Sequence, residues 1–253
     1  MKKSALIFAA AVSITVAGMA QVDTKKQTPE STEIWDPVPR AVTPGTASGS
    51  KTSSAPSDAI VLFDGRNLDS WKSSKNDGAA PWLIAGDAMT VKPGSGDIQT
   101  KQEFEDFQLH IEFRTPAKVE DEGQGRGNSG IFMQGIYELQ VLDSYNNRTY
   151  SNGQAGSIYK QSMPLVNASL APGAWQTYDV VYTAPKFNKD GMMTHPPYIT
   201  VLHNGVLIQN HTAIRGTTPY VGLPQVKPHG KGPIKLQDHN NSTSFRNIWI
   251  REL

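Results

Sequence analysis

Residues 107–114 read FQLHIEFR and decide the fold class. Apolar and polar side chains alternate strictly, with Leu109 and Ile111 on one face and His110 and Glu112 on the other. Successive side chains of a β-strand point to opposite faces, whereas a helix would repeat its apolar positions every three or four residues. The stretch therefore predicts a half-buried strand.

The same alternation recurs along the chain. It is found in YELQV (137–141), WQTYDVVYTA (175–184), YITVLHNGVLIQN (198–210) and FRNIWIREL (245–253). The pair Asn204-Gly205 lies between two apolar runs and predicts a tight hairpin. Short apolar runs separated by Gly, Pro, Asn and Asp are typical of sandwiches and barrels. We predict one all-β domain over residues 58–253, a jelly-roll sandwich of two antiparallel sheets.

The last strand also allows a prediction of faces. Simple alternation places Phe245 and Trp249 on one side and Ile248 and Ile250 on the other.

The N-terminus has the features of an export signal. Lys2 and Lys3 precede an apolar run that ends in the small residues Gly18 and Ala20. We interpret residues 1–20 as a cleavable signal peptide, which implies a periplasmic or secreted protein. The chain contains no cysteine, so the fold must be stable without disulfides.

Residues 21–57 are rich in Pro, Ser and Thr, which is typical of a flexible leader. Trp35 is the exception in this composition, because it is a large apolar side chain. The alternative is that the segment around Trp35 is an extended arm docked on the domain.

The charge balance disfavours some partners. With 24 basic and 23 acidic residues the net charge is +1, so no strong field attracts nucleic acid or an anionic membrane surface. No second apolar stretch follows the signal, so we expect no membrane insertion.

Several polar side chains lie on the outward faces of the predicted strands and their ends. They are Glu112, Arg114, Glu138, Gln140, Gln237 and His239. One interpretation is a solvated face. The other is a curved sheet that binds a sugar through planar groups that donate and accept several hydrogen bonds.

Two further features bear on the site. The stretch GQGRGNSGIF (123–132) contains four glycines and indicates a close turn or close backbone approach. The six histidines show no paired ligand spacing, although a divalent metal ion at His239, held mostly by oxygen ligands, remains an open alternative.

Taken in order, IVLFDGRNLDSW, GNSGIFMQGIYELQVLDSY, PGAWQTYDVVYTAP, GPIKLQDHNN and FRNIWIREL resemble the 3-keto-disaccharide hydrolase domain. The resemblance covers about Asp58 to Leu253 and implies a concanavalin A-like sandwich. It also implies a small saccharide or glycoside substrate already oxidised to a ketone at carbon 3, and hence a separate 3-dehydrogenase earlier in the pathway.

The resemblance implies cleavage by proton abstraction at carbon 2, elimination and water addition. Such chemistry needs a base, a group that stabilises the enolate, and an acid. The candidate catalytic residues are Glu138 or Glu112 as base and His239 as acid or metal ligand. The candidate substrate-binding residues are Lys101, Arg114, Asn128, Gln140 and Gln237.

Two other functions stay open. Glu112 and Glu138 are also an alternative pair for direct hydrolysis of unoxidised glycans. A noncatalytic, lectin-like module could hold glycan on the same face, since fold alone does not separate a binder from an enzyme.

Overall fold

The computed structural model describes residues 27–43 and 54–253, so the proposed signal peptide lies outside the described residues. Within those ranges three short 3₁₀ turns occur, at Pro29–Thr32, Gly123–Gly125 and Ser151–Gly153. Within the described residues, no helix is long and apolar enough to cross a membrane. The rest of the regular structure is β-strand.

The strands follow one another along the whole domain. In chain order they are β1 (Ile60–Phe63), β2 (Trp71–Ser73), β3 (Leu83–Ala85), β4 (Ala88–Thr90), β5 (Ile98–Thr100), β6 (Phe107–Arg114), β7 (Ser129–Met133), β8 (Tyr137–Val141), β9 (Gln176–Thr183), β10 (Lys186–Phe187), β11 (Met193–His195), β12 (Tyr198–His203), β13 (Val206–Ala213), β14 (Lys235–Leu236) and β15 (Ser244–Glu252).

These strands form two main antiparallel sheets. The large sheet has eight strands in the order β13-β12-β9-β6-β15-β4-β3, with β1 paired to β15. The small sheet has five strands in the order β2-β5-β14-β7-β8, and β10 and β11 form a separate ribbon. Besides three hairpins, β3–β4, β7–β8 and β12–β13, both sheets pair strands that are far apart in sequence, such as β6 with β15 and β5 with β14, as in a jelly roll. The predicted all-β sandwich is confirmed.

The core lies between the two sheets. The large sheet contributes Leu109 and Ile111, and the small sheet contributes Ile131, Leu139 and others, all of them fully buried. One long tyrosine spans the sandwich from the large to the small sheet. Tyr178 in β9 donates to the Gln140 carbonyl oxygen in β8 at 3.0 Å. This bond fixes the height of β8 above the large sheet.

The faces predicted for β15 are partly wrong. Phe245 packs in the core together with Ile248 and Ile250, whereas Trp249 lies on the opposite face and stacks on His110, 5.2 Å between ring centroids. The register of β15 against β6 shifts between residues 246 and 249, and Asn247 has φ 45°. This β-bulge adds one residue and inverts the alternation beyond it.

Residues 27–43 are docked on the domain, as in the alternative to a flexible leader. Asn152 bonds the segment in both directions, accepting from the Ile34 amide at 3.0 Å and donating to the Thr32 carbonyl at 3.0 Å. The Trp35 ring meets the Tyr150 ring edge-on at 6.1 Å. The segment covers the long connection between β8 and β9, whose residues 149–160 are buried. The flexible leader stays a prediction for the rest of residues 21–57, because residues 21–26 and 44–53 lie outside the described residues.

Candidate active site in the small sheet

A polar pocket lies on the outer face of the small sheet, at its β8 edge. We call it the Glu138 pocket, and its volume is about 180 Å³. Its walls contain five of the residues singled out from the sequence together with two aromatic rings from loops. The lining residues are Asn128, Phe132, Glu138, Gln140, Tyr159, Thr218, Tyr220, Gln237 and His239.

The floor of the pocket follows from strand register. Lys235 in β14 is paired with Phe132 in β7, which is paired with Glu138 in β8. Directly paired residues of adjacent strands point to the same face, and strands lie about 4.8 Å apart. Because Ile131 and Leu139 point into the core, these three side chains form an outward-facing row that ends at Glu138.

Gly130 provides the space for the Glu138 side chain. A Cβ atom at Gly130 would lie 2.6 Å from Glu138 Oε1 and 2.9 Å from a ring carbon of Phe132. Any larger residue would therefore displace the carboxyl group. The close backbone approach predicted from the glycine-rich stretch occurs at this position.

The Glu138 carboxyl is enclosed by neutral groups. One heteroatom of the Gln140 amide lies 3.0 Å from Glu138 Oε1 and 2.9 Å from the Ser129 carbonyl oxygen. Both neighbours are acceptors, so this atom is assigned as the amide nitrogen, which donates to them. The Glu138 backbone nitrogen donates to Thr218 Oγ1 at 3.2 Å, which attaches the loop carrying Tyr220 to the edge of β8.

Burial raises the pKa of Glu138 from 4.5 to about 8. The positive charge of Lys235 acts in the opposite direction, and the negative charge of Asp97 adds to the rise. Only 5% of Glu138 is exposed, so removal of water is the dominant cause. The carboxyl can therefore take up or release a proton near neutral pH.

One wall of the pocket is built on a buried lysine. Lys160 Nζ donates to the Tyr220 carbonyl at 3.0 Å and to the Pro29 carbonyl of the docked segment at 2.7 Å. The ammonium lies 5.0 Å from the centroid of the Tyr220 ring and 5.8 Å from that of Tyr159. The Glu33 carboxylate, 3.8 Å away, balances part of its charge. The docked segment thus supports the tyrosines that face the pocket.

The opposite wall carries amide groups. Asn128 is buried and donates from Nδ2 to the Gln124 carbonyl at 2.8 Å. Gln237 Oε1 is a buried acceptor with no hydrogen-bond partner in the described part of the chain. Such an atom costs about 1–3 kcal/mol unless it is satisfied, so a bound hydroxyl would improve this site. His239 lies exposed at the rim.

Glu112 and Arg114 do not lie in this pocket. They alternate with the core residues of β6 and so occupy the outer face of the large sheet, on the other side of the sandwich. Arg246 Nε donates to Glu112 at 2.6 Å, and Arg114 stacks on the Trp175 ring at 4.7 Å. Burial opposes ionisation of Glu112, but hydrogen bonds from His110, Asn247 and Arg246 lower its pKa to about 2.

Lys101 also lies outside the pocket. It is exposed just after β5, and its backbone nitrogen donates to the Ser70 carbonyl at 2.9 Å. The placement of Glu112, Arg114 and Lys101 corrects the expectation that one concave face carries all the candidates. Alternation assigns a residue to a face of its own strand, but it does not tell which of the two sheets that strand joins.

Four lining residues were not among the candidates: Phe132, Tyr159, Thr218 and Tyr220. Phe132 could have been found, because period-two alternation places it with Gly130 on one face of β7. Tyr159 comes from the long connection between β8 and β9, which has no periodic signal. Thr218 and Tyr220 come from the irregular loop after β13, which has no periodic signal.

The described residues contain no group of three or more His, Cys, Asp or Glu side chains that could hold a metal ion. In the Glu138 pocket only Glu138 and His239 are of these types.

Comparison with known proteins identifies the family. The family model of the 3-keto-alpha-glucoside-1,2-lyase-like domain matches residues 58–251. A candidate glycosyl hydrolase from Parabacteroides distasonis ATCC 8503 is 58% identical, with 89% of this chain and 97% of that chain covered and a TM-score of 0.79. No curated protein sequence matches the chain significantly.

Two other candidate glycosyl hydrolases from the same organism share the fold. One is 18% identical with a TM-score of 0.57, over 77% of this chain and 94% of that chain. The other is 22% identical with a TM-score of 0.51, over 77% and 99%. With the family match over residues 58–251, a sandwich fold and a polar pocket, the conclusion is that this chain is a carbohydrate-active member of the 3-keto-alpha-glucoside-1,2-lyase-like domain family.

Proposed function

We propose that the chain cleaves the glycosidic bond of 3-keto-glycosides, with Glu138 as the base. The observation that carries the proposal is a buried carboxyl group whose pKa is raised to about 8, in a pocket of one carboxylate, several amides and a tyrosine hydroxyl. A base is most effective when its pKa lies near the working pH. The ketone supplies what this base needs, because it acidifies the hydrogen on carbon 2.

The reaction balances without an oxidant or reductant. Glu138 takes the proton from carbon 2, and the electron pair forms an enolate on carbons 2 and 3. When the carbonyl forms again, a double bond forms between carbons 1 and 2 and the bond from carbon 1 to the glycosidic oxygen breaks. The departing oxygen takes a proton, and addition of water across the double bond completes a net hydrolysis.

Tyr159 is positioned to stabilise the enolate. Burial raises the pKa of its hydroxyl to about 12, so it stays protonated at neutral pH. Tyr150 Oη lies 2.8 Å from Tyr159 Oη. If Tyr150 donates in this bond, the Tyr159 proton is available to the ketone oxygen. We assign Asn128 and Gln237 to the sugar hydroxyls and Gln140 to the orientation of Glu138.

His239 is the candidate acid for the departing oxygen, since it lies exposed at the rim of the Glu138 pocket. The same residue is the candidate ligand if a divalent metal ion takes part. Chelator treatment of the purified protein distinguishes the two roles, because only the metal role predicts loss of cleavage and its recovery on adding metal back.

A conventional glycosidase that uses Glu112 with Glu138 is disfavoured. Such enzymes place two carboxyl groups about 5–10 Å apart, on either side of one bond. Here the two glutamates lie on opposite outer faces of the sandwich, with the core between them. Among the described residues, Glu138 is the one carboxylate lining its pocket.

A noncatalytic sugar-binding module is the second candidate, and one observation favours it. Three aromatic rings, those of Phe132, Tyr159 and Tyr220, line the pocket, and flat rings are common platforms for sugars. Binding alone, however, gives no reason for a carboxyl group buried at a cost in stability.

The test compares a chromogenic 3-keto-β-glucoside with its unoxidised parent. We expect release of the chromophore from the keto compound alone, and loss of release but retained binding in Glu138→Gln. Glu103→Gln, which alters an exposed glutamate, is the matched control. Binding without release by the wild-type protein would support the module, and release from the parent alone would favour a conventional glycosidase.

The location and the pathway remain part of the proposal. We propose export by the signal peptide to the periplasm or beyond. Oxidation at carbon 3 must come from a separate dehydrogenase, because no step at Glu138 changes the oxidation state of the sugar.

A further inference from the structure

A second cavity adjoins the Glu138 pocket. We call it the lysine pocket, and its volume is about 370 Å³. It lies at the end of the β7–β8 hairpin, under the loop that follows β13. Its lining residues are Phe132, Gly135, Ile136, Tyr137, Thr217, Thr218, Pro219, Gln225, Lys227 and Lys235.

The two cavities form one cleft. They share Phe132 as floor and Thr218 as wall. Small-molecule sites usually have volumes of about 300–1,000 Å³. The Glu138 pocket, at about 180 Å³, is smaller than that range, so a substrate larger than one sugar would extend into the adjoining lysine pocket.

The two parts differ in chemistry. The Glu138 pocket has amide groups that can satisfy hydroxyls. The lysine pocket instead offers the apolar surfaces of Ile136 and Pro219 and two ammonium groups, and no acidic residue is found among its described lining residues. Lys235 Nζ lies 4.0 Å from the centroid of the Phe132 ring and 3.6 Å from Asp97 Oδ2, whereas Lys227 is exposed.

We propose that the lysine pocket binds the leaving group, and that this group is an aromatic ring carrying a carboxylate. The proposal rests on the function proposed above and names the substrate class: 3-keto-glycosides of phenolic acids. The sugar occupies the Glu138 pocket, and the aglycone extends past Phe132 towards Lys227.

The lining selects an aromatic acid over a second sugar. A hydroxyl buried against Ile136 and Pro219 would lose hydrogen bonds to water without replacing them. An aromatic ring gains from the same burial, because it carries no hydroxyl groups that would lose water. A carboxylate on the ring would form a charge-assisted hydrogen bond with an ammonium group, which a neutral substituent cannot form.

The test uses the 3-keto-β-glucosides of 4-hydroxybenzoate and of its methyl ester, which differ in one charge. We expect the wild-type protein to have the lower KM for the acid. Lys227→Ala should raise the KM for the acid about 5-fold, the upper range for a partly exposed charge pair, and leave the KM for the ester unchanged. Lys92→Ala, which removes an exposed lysine that lines neither pocket, is the matched control.

Titration calorimetry with free 4-hydroxybenzoate tests the pocket without catalysis. Binding that weakens in Lys227→Ala supports the proposal, even if no 3-keto-glycoside is cleaved, a result that would count against the proposed function alone. Equal KM values for acid and ester, or values that Lys227→Ala leaves unchanged, would overturn the aromatic-acid assignment while cleavage itself stands.

Discussion

Replacing Glu138 by glutamine should stabilise the protein at neutral pH while it abolishes the proposed activity. The carboxyl is buried, and its pKa rises from 4.5 to about 8 because ionisation in the folded state is unfavourable. The folded state therefore holds this proton more tightly than the unfolded chain does. Glutamine has nearly the same shape and never ionises, so the variant avoids this penalty.

The penalty depends on pH in a defined window. Below pH 4.5 the carboxyl is protonated in both states and the variant gains nothing. From 4.5 to about 8 the wild-type protein loses stability at about 1.4 kcal/mol per pH unit, because only the unfolded chain releases the proton. The loss amounts to about 3 kcal/mol at pH 7 and about 5 kcal/mol above pH 8.

The measurement is thermal unfolding of both proteins between pH 4.5 and pH 9. For a chain of this size about 1 kcal/mol corresponds to roughly 2–4 °C, so Glu138→Gln should melt about 6–12 °C higher at pH 7. The difference should be close to zero at pH 4.5. Other titrating groups are common to both proteins, so they cancel in the comparison.

Glu112→Gln is the control with the opposite sign. Hydrogen bonds and the Arg246 charge outweigh burial there and lower the pKa of Glu112 to about 2, so its ionised form stabilises the fold above pH 4.5. That substitution should lower the melting temperature at pH 7. A melting-temperature gain for Glu138→Gln that is the same at pH 4.5 and pH 9 would refute the assignment of a buried, proton-holding carboxyl.

Four further outcomes follow from the same structure. Gly130→Ala brings a methyl group within 2.6 Å of Glu138 Oε1, so kcat on a 3-keto-glycoside should fall at least 10-fold. The circular dichroism spectrum should keep its β signature. An unchanged kcat would contradict the placement of Glu138. The logarithm of kcat/KM should rise with pH and level off above about 8. Lys235→Met should move this rise to higher pH, because it removes the positive charge that lowers the pKa of Glu138. A pH profile that Lys235→Met leaves unchanged would exclude Glu138 as the base. A shortened chain that begins at residue 54 should melt at least about 5 °C lower, because Lys160 loses its contacts with the Pro29 carbonyl and with Glu33. Lys160→Met should lower the melting temperature of the shortened chain less than that of the full chain. Equal effects in both would show that the docked segment does not support Lys160. Tyr178→Phe should lower the free energy of unfolding by about 1 kcal/mol, because it removes the hydrogen bond to Gln140. Chemical denaturation measures this change. Tyr198→Phe, whose side chain lies nearer the surface, should leave the free energy of unfolding unchanged.

The sequence predicts the strands well because each strand buries one face. The alternation in β6, β8, β9 and the β12–β13 hairpin follows directly from that requirement, and Asn204 and Gly205 adopt the positive φ angles that the hairpin needs. The prediction failed at Trp249, where the bulge at Asn247 adds a residue. A bulge has no periodic signal, so the face of a residue beyond it cannot be read from spacing.

The candidate site is predictable only in part, for a related reason. Glu138, Gln140 and Gln237 were found because they interrupt apolar patterns, and the structure brings them together. Glu112 interrupts its strand in the same manner, yet it belongs to the other sheet. Only strand pairing, which joins residues about a hundred positions apart, separates the two groups. Tyr220 lies on a loop that is positioned by contacts of Lys160 and Thr218. These contacts leave no local signal in the sequence, so the position of Tyr220 could not be predicted.

Glu112 and Glu138 differ in the role that each can have, although both are glutamates on strands of the sandwich. Both are almost fully buried, at 4% and 5% exposure, so burial alone does not decide their charge. Glu112 receives donors from Arg246, Asn247 and His110 and stays ionised, which suits a structural ion pair. Glu138 has a neutral amide beside it and the Lys235 ammonium only across Phe132, so burial raises its pKa to about 8 and it exchanges its proton near neutral pH. A base must both accept and release a proton in each turnover, and of the two carboxyl groups only that of Glu138 can do so.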